Sequence, residues 1–384
     1  MLEPRERGHA QASVGAGIVL GQTGRADAEM AIAMLGARAY RRVPTATALH
    51  FGQWLDWPDW LREGTSISMA GPLPPMVSLA EDLIIIGNII DNADYLTLIE
   101  RMLTAPRPAM GSTGALSLLH APDLGCALDS ILRVMAAQNP FLQIRQTMSE
   151  PHDMIDIAFT PPWPMGLLFR FSAIAGLALI YRAIESLHSN DLAAMTLETQ
   201  LCSAPEAHRL LSGFRCRVLP ASGAERLRFP RHWQATANPH HDPMLWAVAR
   251  TRLAAIEKET GEPEDVAAIR AFIVEMLITE HRVPRLKQTA AHLDLSSRTI
   301  VRLLARHDTS FHALVEQERK ARALLVIADQ SVSLAEAARL LGFSDMSSFG
   351  RSFRNWFGDT PGNLRKAWAT RGPLVPPHIP RAVA

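Results

Sequence analysis

Arginine and serine side chains recur at matched positions near the C-terminal end of the 384-residue chain. Arg302 follows Ile300 by two residues, and Arg351 follows Phe349 by the same distance. Arginine can donate two hydrogen bonds to the O6 and N7 atoms of guanine, and serine can donate to or accept from a base edge or a phosphate. These residue types therefore indicate a surface that could read DNA.

The two arginines belong to two copies of one sequence pattern. LKQTAAHLDLSSRTIVRLL, residues 286–304, aligns with LAEAARLLGFSDMSSFGRSF, residues 334–353, with one extra residue in the second copy. In each copy an apolar helical pattern is followed by Asp294 or Gly342, residue types that can adopt the left-handed conformation that ends a helix. A repeat of one supersecondary unit is a stronger signal than either copy alone. Each copy is predicted to be a helix-turn-helix.

Helical periodicity sorts the second helix of each copy into a buried face and an exposed face. Phe349, Phe353 and Trp356 recur at i, i+4 and i+7 and are expected to face the core, as are Ile300 and Leu304. The residues predicted to contact DNA from these helices are Ser297, Arg298, Val301, Arg302, Arg306, Ser347, Ser348, Gly350, Arg351 and Arg354.

Charge is divided unevenly along the chain. Residues 266–372 carry 16 Lys and Arg against 10 Asp and Glu, whereas the rest carries 23 against 28. This asymmetry predicts an anionic partner for the C-terminal part only. The alternative is a helical bundle whose polar face is merely solvated.

Residues 266–368 resemble the DNA-binding domain of the AraC/XylS transcription regulators. The resemblance rests on SLAEAARLLGFSDMSSFGRSFRNWFGDTP and the NLR that follows shortly after it. It implies two helix-turn-helix units joined by a long helix, here residues 311–329, with recognition helices that enter successive major grooves of double-stranded DNA. Val301 and Gly350 stand where polar side chains are common in the family, so base readout there is expected to be apolar or absent.

The region before residue 259 has a mixed pattern. LQIRQTMS and MIDIAFT flank a four-residue turn and predict a β-hairpin, and residues 165–188 form an apolar stretch that predicts a buried helix. Residues from about 75 to 258 more loosely resemble the effector-binding domain of one AraC-family branch, which implies a sensor for a small molecule and self-association.

The predicted fold is therefore multidomain, with a mixed α+β N-terminal sensor domain followed by an all-α DNA-binding domain. We expect a disordered tail at 1–27, an effector-binding or oligomerisation domain at 28–258, a linker at 259–265, the DNA-binding domain at 266–368 and a flexible tail at 369–384.

Two features of the N-terminal region bear on ligand binding. Arg170 lies on the apolar helix, and a buried guanidinium requires an acidic partner, either an internal carboxylate or the carboxylate of an effector. Trp54, Trp57 and Trp60 recur every three residues and form either a core stripe or an aromatic wall for an effector. The remaining effector residues cannot be assigned from the sequence.

No residue pattern indicates a catalytic, metal or cofactor site. His240 and His241 lack a partner at metal-ligand spacing, and the glycine-rich stretch at 15–24 lacks the strand and the lysine of a nucleotide-binding loop. Three cysteines without a CxxC motif favour a reduced, cytoplasmic compartment.

The leading interpretation is a sequence-specific transcription regulator, an activator controlled by a small effector. We expect double-stranded DNA, the effector, RNA polymerase and a second copy of the chain as partners, and no membrane. The alternatives are an effector-independent DNA-binding protein that acts through dimerisation, and an enzyme with an appended DNA-binding domain.

Overall fold

The chain folds into an N-terminal region of helices and sheets followed by a C-terminal region of helices only, as seen in a computed structural model. The mixed α+β class predicted for the first region is confirmed. The structure describes residues 23–369 except 69–72, 107, 109, 150–152, 189–190, 201–209 and 221. The predicted C-terminal tail, apart from Ala369 at the end of the last helix, and almost all of the predicted N-terminal tail lie outside the described residues.

The helices of the N-terminal region surround one apolar core. They are α1 (Gly24–Leu35), α2 (Ala46–Leu55), α3 (Leu79–Asn92), α4 (Tyr95–Thr104), α5 (Ser112–His120), α6 (Leu124–Gln138), α7 (Gly166–Leu187) and α8 (Pro243–Thr260). Short 3-10 helices cover Gly36–Tyr40, Asp59–Arg62 and Arg231–Ala235.

Five strands form the main sheet of this region, in the order β3-β4-β7-β5-β6. They are β3 (Gln143–Ser149), β4 (Met154–Thr160), β5 (Thr196–Glu198), β6 (Arg217–Leu219) and β7 (Glu225–Pro230). The predicted hairpin is confirmed, because β3 and β4 pair antiparallel with Ser149 opposite Met154. A second, two-stranded sheet pairs β1 (Arg42–Pro44) with β2 (Met76–Ser78), and these strands are too short to show a sequence period.

The helix α7 lies in the middle of the N-terminal region. By length and hydropathy it is the one described helix that could cross a membrane, but 67% of its most apolar window is buried inside the protein. It packs against α4, α6 and β7. The prediction that residues 165–188 form a buried core helix is confirmed.

The predicted disordered segment 1–27 extends too far. The helix α1 already begins at Gly24, and the buried Asp27 carboxylate accepts a hydrogen bond from the backbone N of Leu167 at 2.6 Å. Asp27 thereby satisfies one of the free N–H groups at the start of α7, which ties this segment to the core.

The predicted linker at 259–265 is also shorter in the structure. The helix α8 continues to Thr260, whose buried side chain donates to the backbone O of Ile256, and the next helix begins at Glu264. Only residues 261–263 lie between the two helices, and Pro263 is compatible with the helix start that follows.

Seven helices form the described C-terminal region. One of them, α12, corresponds to the long joining helix that was predicted. They are α9 (Glu264–Thr279), α10 (Leu286–His292), α11 (Ser297–Arg306), α12 (Phe311–Ala328), α13 (Leu334–Leu340), α14 (Met346–Phe357) and α15 (Pro361–Ala369). We call α10 and α11 the first helix pair, and α13 and α14 the second helix pair.

The turns of the two helix pairs have the predicted backbone chemistry. Asp294 has φ 53° and Gly342 has φ 70°, so both adopt the left-handed conformation between the helices. Ser296 then caps α11 by accepting from the backbone N of Thr299, and Asp345 caps α14. Different residues therefore build the same turn in both pairs.

The apolar faces of the two second helices are buried, with one correction. Ile300, Leu304, Phe349 and Phe353 are fully buried, as predicted. Trp356 is only half-buried, and the buried face of α14 is completed by the neighbouring Phe357. At about 100° per residue, a buried face centred on Phe353 includes residues four positions away on either side and leaves Trp356 at its edge.

We expect Gly342→Ala to destabilise the chain. An alanine Cβ would lie 3.1 Å from the Cα of Arg282, and the left-handed backbone itself costs an L side chain about 1–2 kcal/mol. Chemical denaturation of the full-length protein measures this loss in the free energy of unfolding.

The matched control is Gly350→Ala in α14. Beyond the adjacent residues and the backbone of its own helix, its added Cβ meets no described atom within 4 Å, and alanine is favoured over glycine inside a helix by about 1 kcal/mol. Equal stability changes for the two variants would contradict the assigned turn geometry.

Candidate nucleic-acid interface

The outer face of α11 presents the predicted contact residues of the first helix pair. Arg298, Arg302 and Arg306 are exposed, Ser297 is half-buried, and the Val301 side chain is 53% exposed. An exposed valine on a polar face offers an apolar contact, such as the one a thymine methyl group can accept.

The outer face of α14 presents the corresponding residues of the second pair. Ser347, Arg351 and Arg354 are exposed, while Ser348 and Gly350 are half-buried. Apart from the adjacent residues and the backbone of its own helix, no described atom lies within 4 Å of a Cβ built on Gly350, so this part of the helix surface is open to close approach.

Ser348 already takes part in the cap of its own helix. Its backbone N donates to Asp345 Oδ1 at 2.7 Å, and its Oγ donates to Asp345 Oδ2 at 2.9 Å. Arg351 Nη2 in turn donates to the Ser348 Oγ at 3.3 Å. The hydrogen bond from the Ser348 backbone, followed by those from the Ser348 and Ser344 hydroxyls, lowers the pKa of Asp345. This chain of contacts orients Arg351 on the surface.

The arginines of the two outer faces have no carboxylate partner within 4 Å in the part of the chain that the structure describes. Other arginines of the C-terminal region do, for example Arg282 with Glu280 and Arg339 with Glu336. The arginines without such a partner are Arg298, Arg302, Arg306, Arg351 and Arg354. Their guanidinium groups are therefore free to pair with an external anion.

Arg319 on α12 supports the second pair, and the sequence analysis did not single it out. Its guanidinium lies 3.9 Å from the ring centroid of Phe343, and its Nη2 donates to the backbone O of Leu341 at 3.3 Å. Burial lowers the pKa of Arg319. The contact holds the turn between α13 and α14. It could not be predicted from the sequence, because a basic residue in the middle of an amphipathic helix is ordinarily solvent-exposed.

A cavity of about 120 Å³ lies among the helices of the N-terminal region. Its wall includes Phe51 and Trp54 from α2, and Phe171 and Ser172 from α7. The buried Ser172 Oγ has no hydrogen-bond partner among the described residues. Of the three regularly spaced tryptophans, Trp54 lines this cavity, and Trp57 and Trp60 lie outside its wall.

Arg170 lies outside the wall of this cavity. It is half-buried on α7, and its charge acts on the buried Glu225 of β7. Burial raises the pKa of Glu225 to about 7, while a hydrogen bond from the backbone of Gln200 and the charge of Arg170 oppose the rise. Of the two alternatives for Arg170, this electrostatic effect favours the internal carboxylate, although the two described side chains form no ion pair within 4 Å.

The cavity could not be predicted from the sequence, because six separate helices contribute to its wall and each residue type in it is ordinary in a core. The helices that contribute are α2, α3, α4, α5, α6 and α7. The outer faces of α11 and α14 were accessible to sequence reasoning, since each lies within one continuous helix.

Comparisons with known proteins agree with this geometry. A family model described as a helix-turn-helix domain matches residues 289–367, which run from the middle of α10 through α11, α12, α13 and α14 into α15. The chain is 26% identical over 221 residues to the HTH-type transcriptional regulator VqsM of Pseudomonas aeruginosa, a match that covers 56% of this chain and 65% of VqsM.

Two further relatives show the same pattern at lower coverage. The ornithine utilization regulator of Pseudomonas aeruginosa is 30% identical over 149 residues, which cover 36% of this chain and 42% of that protein. The transcriptional activator NphR of Rhodococcus sp is 28% identical over 131 residues, which cover 34% of this chain and 38% of NphR. The chain thus spans less than two thirds of the length of each of these relatives. Residues 289–367 are an AraC-type helix-turn-helix domain, of the kind carried by transcriptional regulators.

Proposed function

We propose that the protein is a sequence-specific transcriptional regulator in which both helix pairs act as helix-turn-helix units. The carrying observation is the set of exposed arginines on α11 and α14 that have no carboxylate partner among the described residues. Arginine without an internal partner suits phosphate contacts and bidentate contacts to guanine. In this proposal α11 and α14 enter successive major grooves of double-stranded DNA.

The competing interpretations explain this surface less well. In a bundle whose polar face is merely solvated, nothing requires unpaired arginines at matched positions of two helices. An enzyme with an appended DNA-binding domain would need a catalytic constellation in the N-terminal region. The relatives compared above are named as transcriptional regulators or as a regulator of ornithine utilization.

We expect Arg302→Ala and Arg351→Ala each to cost about 1–3 kcal/mol of binding to the specific site and to relax the preference at one base position. Selection of preferred duplexes from a random pool, followed by gel-shift titration at fixed salt, measures both effects. Arg145→Ala, an exposed change on β3, is the control and should leave binding unchanged.

Two results would count against the interface. An equal loss on specific and random duplexes would mean that the arginines contact phosphate only. A folded protein without preference for any duplex over competitor DNA would exclude the regulator function itself. Binding should also weaken steeply with salt, because phosphate contacts release counterions.

We infer that a small effector binds in the cavity among the N-terminal helices. Its 120 Å³ is close to the size of engineered cavities that admit a benzene-sized molecule. The apolar wall and the unpartnered Ser172 hydroxyl favour a small, mainly apolar ligand with a polar group that can hydrogen-bond to it.

Ser172→Ala should stabilise the free protein and abolish the preference for a hydroxylated ligand. The reason is that a buried hydroxyl without a partner costs roughly 1–3 kcal/mol. Calorimetric titration with benzyl alcohol and with toluene measures the preference, and thermal unfolding measures the stability.

The control for this variant is Ser117→Ala. The buried Ser117 Oγ donates to the backbone O of Thr113 at 3.0 Å, so its loss should lower stability and leave ligand preference unaffected. If Ser172→Ala keeps the preference for benzyl alcohol over toluene, the hydroxyl does not contact the ligand.

We infer that the protein activates transcription, supported by the description of the relative NphR as an activator. Addition of the protein to an in vitro transcription assay on a selected target promoter should raise the transcript level. A fall in transcript level would indicate a repressor. Contact with RNA polymerase, self-association and a cytoplasmic location stay predictions.

A further inference from the structure

A second cavity, of about 350 Å³, lies between the N-terminal and C-terminal regions. The N-terminal region contributes residues from the end of α1 to the loop before α7, and the C-terminal region contributes α9 and α12. We call it the interface cavity. Its volume falls within the range of about 300–1,000 Å³ that is typical of ligand pockets, and it shares no wall residue with the cavity around Ser172.

Three polar side chains in the wall carry buried N–H groups without an acceptor among the described residues. They are the Nε1–H of Trp163, the Nε–H of Arg38 and the Nε–H of Arg322. Trp163 is only 3% exposed, so its indole N–H has little access to bulk water. Buried donors of native proteins are normally satisfied, and several in one wall indicate a common acceptor.

The charges in the wall are unequally compensated. Arg270 is held by two carboxylates, Glu262 at 3.0 Å and Glu318. Neither Arg38 nor Arg322 has a carboxylate within 4 Å in the described part of the chain. The wall therefore contains two guanidinium groups that form no ion pair with a described carboxylate, while the carboxylate of Glu318 in the same wall is paired with Arg270.

Both guanidinium groups have lowered pKa values. Burial, followed by the nearby charge of Arg270, lowers the pKa of Arg38 to about 10, and the charges of Glu318 and Glu262 only partly oppose this fall. Burial alone lowers the pKa of Arg322. A buried cation is destabilised unless an anion lies close to it.

The rest of the wall is mainly apolar. Leu35, Val274, Leu277, Ile278 and Leu325 line it, and they can pack around a hydrocarbon body. An inorganic anion would leave this surface without contacts, and a neutral apolar ligand would leave the three N–H groups unpaired. A ligand that combines a carboxylate with an apolar body can accept from the three N–H groups and also pack against the apolar residues.

We propose that the interface cavity binds a small organic monocarboxylate, with its carboxylate accepting from Trp163, Arg38 and Arg322 and its apolar body against α9 and α12. Such a ligand connects the N-terminal region to α12, the helix that joins the two helix pairs. This site is independent of the proposed DNA-binding function, since it concerns ligand binding by the free chain.

The test is calorimetric titration of the full-length protein with octanoate, with octanol as the uncharged analogue and inorganic phosphate as the anion without an apolar body. Octanoate should bind saturably with a stoichiometry of one, and octanol and phosphate should not. Trp163→Phe removes the indole N–H and keeps an aromatic ring, so octanoate affinity should fall about fivefold. Arg322→Met should lower it about tenfold or more, because a hydrogen bond from a charged donor is lost.

The matched control is Trp368→Phe. The indole N–H of Trp368 is also buried without an acceptor, but this residue lies outside the interface cavity. The control variant should bind octanoate as the unmodified chain does, and thermal unfolding of every variant checks that it is folded.

Several results would overturn the proposal. They are the absence of saturable octanoate binding to the folded unmodified protein, equal binding of octanoate and octanol, and unchanged octanoate affinity in folded Trp163→Phe and Arg322→Met. A fall in affinity of Trp368→Phe that matches that of Trp163→Phe would show a general effect of removing tryptophan and would also overturn it. None of these results depends on DNA, so failure here is distinguishable from failure of the regulator function.

Discussion

The C-terminal region depends on α12, because the two ends of this helix are buried in two different apolar cores. Leu314 and Val315 at its start belong to the core of the first helix pair, whereas Leu324 and Ile327 near its end belong to the core that includes the second pair. Because close-packed interiors do not deform continuously, one helix shared by two cores restricts how the pairs can move relative to each other. At 1.5 Å per residue its 18 residues span about 27 Å, which is comparable to the roughly 34 Å between successive major grooves.

A third side of α12 contacts the N-terminal region. It packs against α1, and Gln317 Nε2 donates to the backbone O of Leu35 at 3.4 Å. Arg270 on the neighbouring α9 pairs with both Glu262 and Glu318. Buried ion pairs contribute little net stability, but the removal of one partner is costly. This cluster therefore favours one packing of α9, α12 and the segment 261–263 over others. The N-terminal region is thus in direct contact with the element that joins the two helix pairs.

The proposed DNA interface is largely independent of folding. The exposed arginines of α11 and α14 make no ion pair with a described carboxylate, so the cores would lose little if they were replaced. Arg351 is a partial exception, since it contacts the cap of its own helix through Ser348. Stability comes from the opposite faces, where Ile300 and Phe349 are fully buried. This separation allows the outer faces to change their DNA preference without loss of the fold.

Much of the C-terminal region was determined by local sequence. The period of the apolar residues set the buried faces of α11 and α14, and Asp294 and Gly342 set the turns, because these depend on residues within one helix or turn. The hairpin of β3 and β4 and the buried helix α7 followed from local patterns for the same reason.

What only the tertiary structure decided involves residues far apart in the chain. Asp27 extends the ordered region to α1 because it meets Leu167, and Trp356 at the edge of the core contacts Phe343 and Arg319, which lie outside α14. The two cavities likewise collect side chains from separate elements, and the charge of Arg170 on α7 acts on Glu225 of β7. Periodicity describes one element at a time, whereas a cavity or a buried charge depends on which elements pack together.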